Sequence, residues 1–133
     1  MGETLQTIRE RRSVKSYKPD MIPEETLQKI VEAGTWAPSG MGRQSAIIVA
    51  VTNKELRDRL SRMNAKIMGT DIDPFYGAPV VLIVLADKTV PTHVYDGALV
   101  MENLMLAAQD LGIGSCWIHR AKEEFESEEG KEI

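Results

Sequence analysis

The sequence predicts an α+β or α/β fold in which helices cover a small sheet. Apolar residues recur at spacings of three and four in several segments, which is typical of amphipathic helices. Two short runs, residues 46–52 and 80–86, consist largely of strand-forming residues. With 133 residues and 43% hydrophobic content, the chain is long enough for one core, so we expect a single domain over residues 1–133.

The first predicted helix, residues 3–12, leads into a dense group of positive charges. Leu5 and Ile8 lie on one side of this helix, and Pro19 cannot continue it. We call residues 9–18 (RERRSVKSYK) the cationic segment; they stand out in a chain of net charge -4. One interpretation is a solvated basic patch that offsets the acidic remainder. The other is an anion site, because guanidinium, hydroxyl and ammonium groups together suit a phosphate monoester.

A loop of small residues follows the second predicted helix. Pro23, Glu24 and Glu25 suit the start of that helix, which ends by Pro38. We call residues 37–45 (APSGMGRQS) the small-residue loop; it leads directly into the strand predicted over residues 46–52. Such a loop lets backbone N–H groups approach a flat or charged ligand closely. A plain connection between helix and strand is the alternative.

The middle of the chain predicts a helix, a loop and a strand. Residues 52–55 (TNKE) suit the start of a third helix, and residues 71–79 (DIDPFYGAP) form a turn-rich loop. Residues 80–86 are uniformly apolar, which is typical of a strand covered on both faces, so we expect this strand to be central.

The last third predicts the longest helix, over residues 92–111, which Gly112 ends. Apart from one polar stripe this helix is apolar, so we expect it to be buried nearly all round, inside the monomer or against a second chain. Residues 113–118 (IGSCWI) predict a short third strand. Ser127 suits the start of another helix, and the chain stops about a turn later. We therefore expect a C-terminal part to be missing.

Bulk properties exclude several classes of protein. A pI of about 5.2 and the shortness of the cationic segment argue against a nucleic-acid partner. The longest apolar run, residues 80–86, is too short to span a membrane. A single cysteine, Cys116, fits a reducing cytoplasm, and its apolar surroundings in sequence predict a buried, inert thiol. His93 and His119 form no metal-binding pair, so we expect no metal site. No acid, base or nucleophile stands out, so a cofactor would carry any reaction.

Two stretches of the sequence resemble the nitroreductase family of FMN-dependent oxidoreductases. They are IRERRSVKSYKPDMIPEETLQKIVEAGTWAPSGMGRQS and, later in the chain, DGALVMENLMLAAQDLGIGSCWI. The resemblance runs from Leu5 to about Arg120. It implies helices around a small mixed sheet, an intertwined homodimer, and FMN at the dimer interface with both chains contributing.

The resemblance also implies which residues contact FMN. Those matching the phosphate and ribityl positions are Arg11, Arg12, Ser13 and Lys15, those matching positions beside the flavin are Pro38, Ser39, Gly40, Gly42 and Gln44, and those near its ring are Trp117, Ile118 and His119. Gly42 stands where many members have an Asn that contacts the flavin pyrimidine, so that contact would come from a backbone group or from Arg43. The resemblance implies no catalytic residue in the chain, although the positive charge of Lys15 is a candidate for an electrostatic role near flavin N1 and O2.

The implied activity is a ping-pong hydride transfer in the cytoplasm. NADH or NADPH reduces the flavin, leaves, and is replaced by a small oxidised substrate such as a nitroaromatic or a quinone. Three alternatives remain from the residues: a flavin-binding module without turnover, a truncated remnant, and a colourless anion-binding scaffold. Family members usually continue with a final strand and a basic segment, and we therefore expect residues 1–133 to be truncated at the C-terminus.

Overall fold

The computed structural model describes residues 2–133. Within them lie six α-helices and two β-strands, in an order that matches the sequence prediction except near the C-terminus. The helices are α1 (Glu3–Glu10), α2 (Glu24–Thr35), α3 (Lys54–Met68), α4 (His93–Asp110), α5 (Ala121–Glu126) and α6 (Glu128–Glu132), and the strands are β1 (Ala46–Val51) and β2 (Val81–Ala86). A single 3-10 turn, Gly40–Gly42, interrupts the small-residue loop.

Local capping explains the helix ends that the sequence predicted. The Asn53 side chain accepts a hydrogen bond of 2.8 Å from the Leu56 N–H at the start of α3. Gly112, with φ of 76°, follows the end of α4 as predicted. The Ser127 hydroxyl accepts from the Gly130 N–H at 3.0 Å and caps α6. The short helix α5 before it was not predicted.

The two strands form an antiparallel sheet with a different helix layer on each face. Ile47 lies opposite Leu85, and Val51 lies opposite Val81. On one face, Ile48 and neighbouring strand residues pack against α2 and α4 around the buried residues Ile30, Val100, Leu104 and Ala108. On the other face, the buried core consists of Val51, Leu60, Met63, Phe75 and Ile83. The predicted arrangement of helices around a small sheet is confirmed.

Two predictions about the sheet were wrong. Residues 113–118 do not form a third strand within residues 2–133, because Ser115 makes only an isolated parallel bridge with Ser13 and no ladder extends from it. β2 is not central, because its only partner in the described sheet is β1. Leu85 is 38% exposed, so β2 is not covered on both faces either.

The long helix α4 is buried on one side only within the chain. Its buried residues are Asp96, Val100, Leu104, Met105 and Ala108. Val94 and Tyr95, near its start, are exposed. Of the two predicted alternatives, burial of α4 inside the monomer is therefore wrong, and burial against a second chain stays a prediction. Within residues 2–133, none of the helices combines the length and the hydropathy that a bilayer crossing requires.

Candidate functional site

The cationic segment lies against residues 113–118, which follow α4 and were predicted to form a third strand. Ser13 forms a parallel bridge with Ser115, and the Val14 N–H donates to the Ser115 carbonyl at 2.9 Å. Gly114 lies so close to Val14 that an added Cβ would meet its side chain at 3.1 Å. Residues about 100 apart in sequence are thus brought together, and the candidates near Ser13 lie beside those near Trp117.

The guanidinium groups of this segment are partly engaged within the chain. Arg11 Nε lies 3.7 Å from a Glu102 carboxylate oxygen on α4. Arg12 Nη1 donates to the Arg9 carbonyl at 2.5 Å and to the Arg11 carbonyl at 2.8 Å. The Arg12 side chain therefore satisfies backbone acceptors at the end of α1, a role that charge alone did not predict.

Two tyrosine side chains, Tyr17 and Tyr76, lie near the C-terminal half of the cationic segment. Lys15 Nζ lies 5.9 Å from the centroid of the Tyr76 ring, within the range of a cation–π contact. The Tyr17 hydroxyl donates to the Val14 carbonyl. Burial, with smaller effects of nearby Cys116 and Tyr76, raises the pKa of Tyr17 to about 12. Tyr17 therefore stays neutral and is not a proton carrier near neutral pH.

A network centred on Asp73 fixes the loop that carries Tyr76. The Asp73 carboxylate accepts from Arg57 at 2.5 Å and from Ser61 at 2.7 Å, both on α3, and from the N–H groups of Phe75 and Gly77. Burial alone would raise the pKa of Asp73, but these hydrogen bonds outweigh it and lower that pKa to about 2. The loop is thus held by an ionised carboxylate at neutral pH.

The small-residue loop is attached to the first turn of α4. The Asp96 carboxylate accepts from the Gly40 N–H at 2.9 Å and from the Ser45 hydroxyl at 2.7 Å. An added Cβ on Gly40 would lie 2.2 Å from Thr92 Oγ1, so only glycine permits this approach. A cavity of ≈ 330 Å³ lies between the loop, α2, β1 and α4, and Pro38, Ser39, Gln44 and Asp96 are on its wall.

Several N–H groups of the small-residue loop are already bonded within the chain. The Gly40 N–H donates to Asp96, and the Gln44 N–H donates to Ser39 Oγ at 2.9 Å. The N–H groups of Gly42 and Arg43 donate to the carbonyls of Ser39 and Gly40. These four groups therefore have partners within the chain, and their approach to a ligand stays a prediction. The Ser39 hydroxyl and the Gln44 side chain are the polar groups that the loop can offer instead.

Trp117, Ile118 and His119 differ in their exposure and in their contacts. Trp117 is 54% exposed and lies at the surface. Ile118 packs against the core cluster that contains Leu60, and the His119 carbonyl accepts from the Asn64 side chain at 2.9 Å. Ile118 therefore has a structural role in addition to any ligand contact. Cys116 is only partly buried, so the prediction of a buried thiol was wrong.

The cationic segment and the small-residue loop contact different sides of α4. Arg11 lies near Glu102, whereas Gly40 is bonded to Asp96. Six helical residues correspond to about 9 Å along the axis and a difference of about 120° around it. Contacts within residues 2–133 thus join the cationic segment to Ser115 and to the middle of α4, but attach the small-residue loop to the first turn of that helix.

The residues of the cationic segment suit a phosphate group chemically. Ser13 and Lys15 are exposed, and the Ser13 hydroxyl has no hydrogen-bond partner in the described part of the chain. A free hydroxyl beside an ammonium and two guanidinium groups offers both hydrogen bonds and positive charge. This donor set fits the phosphate of a mononucleotide.

Three residues that shape the site were not predicted from the sequence. They are Asp96, Asn64 and Tyr76; the last was expected in a turn-rich loop but not in contact with Lys15. A signal existed for Asp96, because a carboxylate within an apolar helix is costly to bury unless hydrogen bonds satisfy it. The partners of Asn64 and Tyr76 lie far away in sequence and gave no local signal.

These features define a class of α+β protein represented among solved flavoproteins. A nitroreductase from Bacteroides fragilis, solved with bound FMN, superimposes with a TM-score of 0.91 and 32% identity. The match covers 99% of this chain and 78% of that one. The model of the Nitroreductase family matches residues 8–72 and 69–125. The chain belongs to the nitroreductase family, as its resemblance implied.

Curated relatives extend the comparison. A protein from Methanothermobacter thermautotrophicus, provisionally named NADH dehydrogenase/NAD(P)H nitroreductase, is 28% identical over 124 residues. An NADPH-flavin oxidoreductase from Vibrio harveyi is 30% identical over 129 residues. The matches cover 86% and 89% of this chain but only 60% and 54% of those proteins. The chain thus spans little more than half the length of these relatives.

Proposed function

We propose that the protein is an FMN-dependent oxidoreductase that takes electrons from NADH or NADPH. Its acceptors would be nitroaromatics, quinones or similar small oxidised compounds. The bridge between Ser13 and Ser115 is the observation that carries this proposal, because it joins the phosphate-binding candidates to the segment of Trp117 and His119. Bound FMN in the Bacteroides fragilis structure and the name of the Vibrio harveyi relative support the same function.

The proposed role of the chain is to bind and orient the cofactor. Ser13, with Arg11, Arg12 and Lys15, would hold the phosphate and ribityl chain. When bound, FMN supplies the hydride chemistry, for which the protein needs no acid or base of its own. The Lys15 ammonium would provide positive charge where negative charge develops, and its contact with Tyr76 would restrict its position.

We propose further that the site is completed by a second copy of the chain. Because the cationic segment and the small-residue loop lie on different sides of α4, one flavin touching both would need the loop of the partner subunit. Exposed apolar side chains on the same part of the molecule support this arrangement. Trp36 is 78% exposed, Met41 88% and Tyr95 72%, and all three adjoin the small-residue loop or the start of α4. Covering such side chains in a dimer would be favourable.

A cytoplasmic location is part of the proposal. A nicotinamide-dependent reductase draws on the reduced nicotinamide pool of the cytoplasm. The single free thiol, Cys116, fits a reducing compartment.

The test is to incubate the purified protein with FMN, remove free cofactor, and record the visible spectrum and the native mass. We expect one FMN per subunit in a dimer, and bleaching of the flavin by NADH or NADPH under anaerobic conditions. Binding without bleaching would favour the non-catalytic flavin-binding module. A monomer that retains no FMN would refute the proposal.

A further inference from the structure

Asp96 bonds to the middle and to the last residue of the small-residue loop, although it lies more than 50 residues away in sequence. One carboxylate oxygen accepts from the Gly40 N–H, and the other accepts from the Ser45 hydroxyl. The second oxygen also accepts from the Thr92 hydroxyl at 3.0 Å. Only 2% of Asp96 is exposed. One buried side chain on the first turn of α4 thus attaches the loop to that helix.

The loop needs such an attachment because its backbone is strained. Met41 and Gln44 have φ values of 55° and 50°, in the left-handed region that residues other than glycine rarely adopt. Strained backbone persists only where surrounding contacts hold it. Within the loop, the bond from the Gln44 N–H to Ser39 Oγ closes the turn, while Asp96 fixes that turn to α4.

The charge of Asp96 suits this task. An ionised carboxylate only accepts hydrogen bonds, so all three donors can point at it at once. The Gly40 N–H, followed by the hydroxyls of Ser45 and Thr92, lowers the pKa of Asp96, and its place in the first turn of α4 also favours a negative charge. Asparagine could keep the bond from Gly40 and donate its amide hydrogens to the two hydroxyls, so it preserves the shape of the junction without its charge.

We propose that Asp96 is a positioning residue, which fixes the small-residue loop against α4 so that Ser39 and Gln44 meet the flavin in one arrangement. This inference rests on the proposed function, because the flavin is the ligand that the loop would meet. Asp96 itself would touch no substrate or cofactor. It acts through the Gly40 N–H and the Ser45 hydroxyl.

The test compares Asp96→Ala, Asp96→Asn and a control, Asp110→Ala, which removes an exposed carboxylate from the other end of α4. Amide hydrogen exchange is first measured in the flavin-free proteins. We expect Asp96→Ala to speed exchange of the Gly42, Arg43 and Gln44 N–H groups, while Asp96→Asn and the control keep wild-type rates. Unchanged exchange in Asp96→Ala would overturn the inference, whatever the flavin does. If Asp96→Ala does not fold, Ser45→Ala removes one donor and should give a smaller increase.

FMN titration and visible circular dichroism of the bound flavin then test the positioning role. We expect Asp96→Ala to weaken FMN binding at least about tenfold, with an altered flavin dichroism, and Asp96→Asn to stay within about threefold of wild type. Wild-type affinity and dichroism in Asp96→Ala would overturn the inference. If the wild-type protein itself binds no FMN, the proposed function fails, whereas hydrogen exchange still decides whether Asp96 holds the loop.

Discussion

The buried carboxyl of Glu124 makes stability depend on pH near neutrality. Glu124 lies on α5, which packs on α3, and it is only 3% exposed. Its Oε1 atom has no hydrogen-bond partner within residues 2–133. Burial raises the pKa of Glu124 from 4.5 to about 7, and Asn64 and the positive charge of Arg120 oppose this rise only in part. The folded protein therefore holds a proton that the unfolded chain releases.

The difference between the pKa of Glu124 in the folded state and in the unfolded state sets the sign and the size of the effect of pH on stability. Because the pKa is higher in the folded state, the stabilising effect is complete below pH 4.5 and is lost as the pH rises through about 7. The interval between 4.5 and about 7 corresponds to a free energy of about 3 kcal/mol. The Glu124→Gln variant cannot ionise, so its stability should lack this decline. At pH 8 we expect it to be more stable than the wild type by up to about 3 kcal/mol.

Urea unfolding at pH 5, 6, 7 and 8 measures the prediction directly. The free energy of unfolding of the wild type should fall relative to that of Glu124→Gln, most steeply between pH 5 and 7. Glu123→Gln is a matched control, because Glu123 is exposed on the same helix. Asp73, with a pKa of about 2, titrates below this range. Parallel curves for the wild type and Glu124→Gln from pH 5 to 8 would refute the reasoning.

Three further predictions concern the site, the loop beside it and the proposed dimer. Combining Arg11→Ala with Ser13→Ala should weaken FMN binding at least about tenfold in a fluorescence titration. The melting temperature should stay unchanged, because neither side chain lies in a core. Wild-type affinity for FMN would contradict the proposed phosphate site. Asp73→Asn should lower the free energy of unfolding by about 1–2 kcal/mol at pH 7, after allowance for its partial exposure. The stabilising effect of the Asp73 carboxylate is present above pH 3.8 and is lost as the pH falls through about 2, so a loss in urea unfolding that is equal at pH 2 and pH 7 would exclude the charge as its source. Tyr95→Glu should shift the native mass from dimer to monomer, since it places a charge on the exposed face of α4; a dimer of wild-type stability would show that this face is not the interface.

Local sequence patterns were sufficient for most helices and for both strands. The Asn53 cap, the spacing of apolar residues in α2 and the branched residues of β1 act over a few positions, and their effects are visible without the rest of the chain. The prediction of a strand over residues 113–118 was wrong because a strand depends on a partner that local sequence does not show. A strand requires a neighbouring segment for its ladder, and within residues 2–133 this segment makes only an isolated bridge, between Ser115 and Ser13.

The candidate site was predictable in composition but not in arrangement. The cationic segment and the small-residue loop were recognised from residue types that suit a phosphate and a tight turn. Their roles as FMN contacts stay predictions. The attachment of the loop to Asp96 could not be predicted, because it depends on how α4 crosses the sheet. The same is true of the contact between Lys15 and Tyr76.

The sequence by itself determined most of the helices, the two strands, the charge of the N-terminal segment and the family, because each depends on neighbouring residues or on motifs in a fixed order. Only the tertiary structure decided which side chains are buried and which distant groups meet. Glu124 and Asp96 show the reason: only the packing of distant elements determines whether a carboxylate loses its water and which donors replace it.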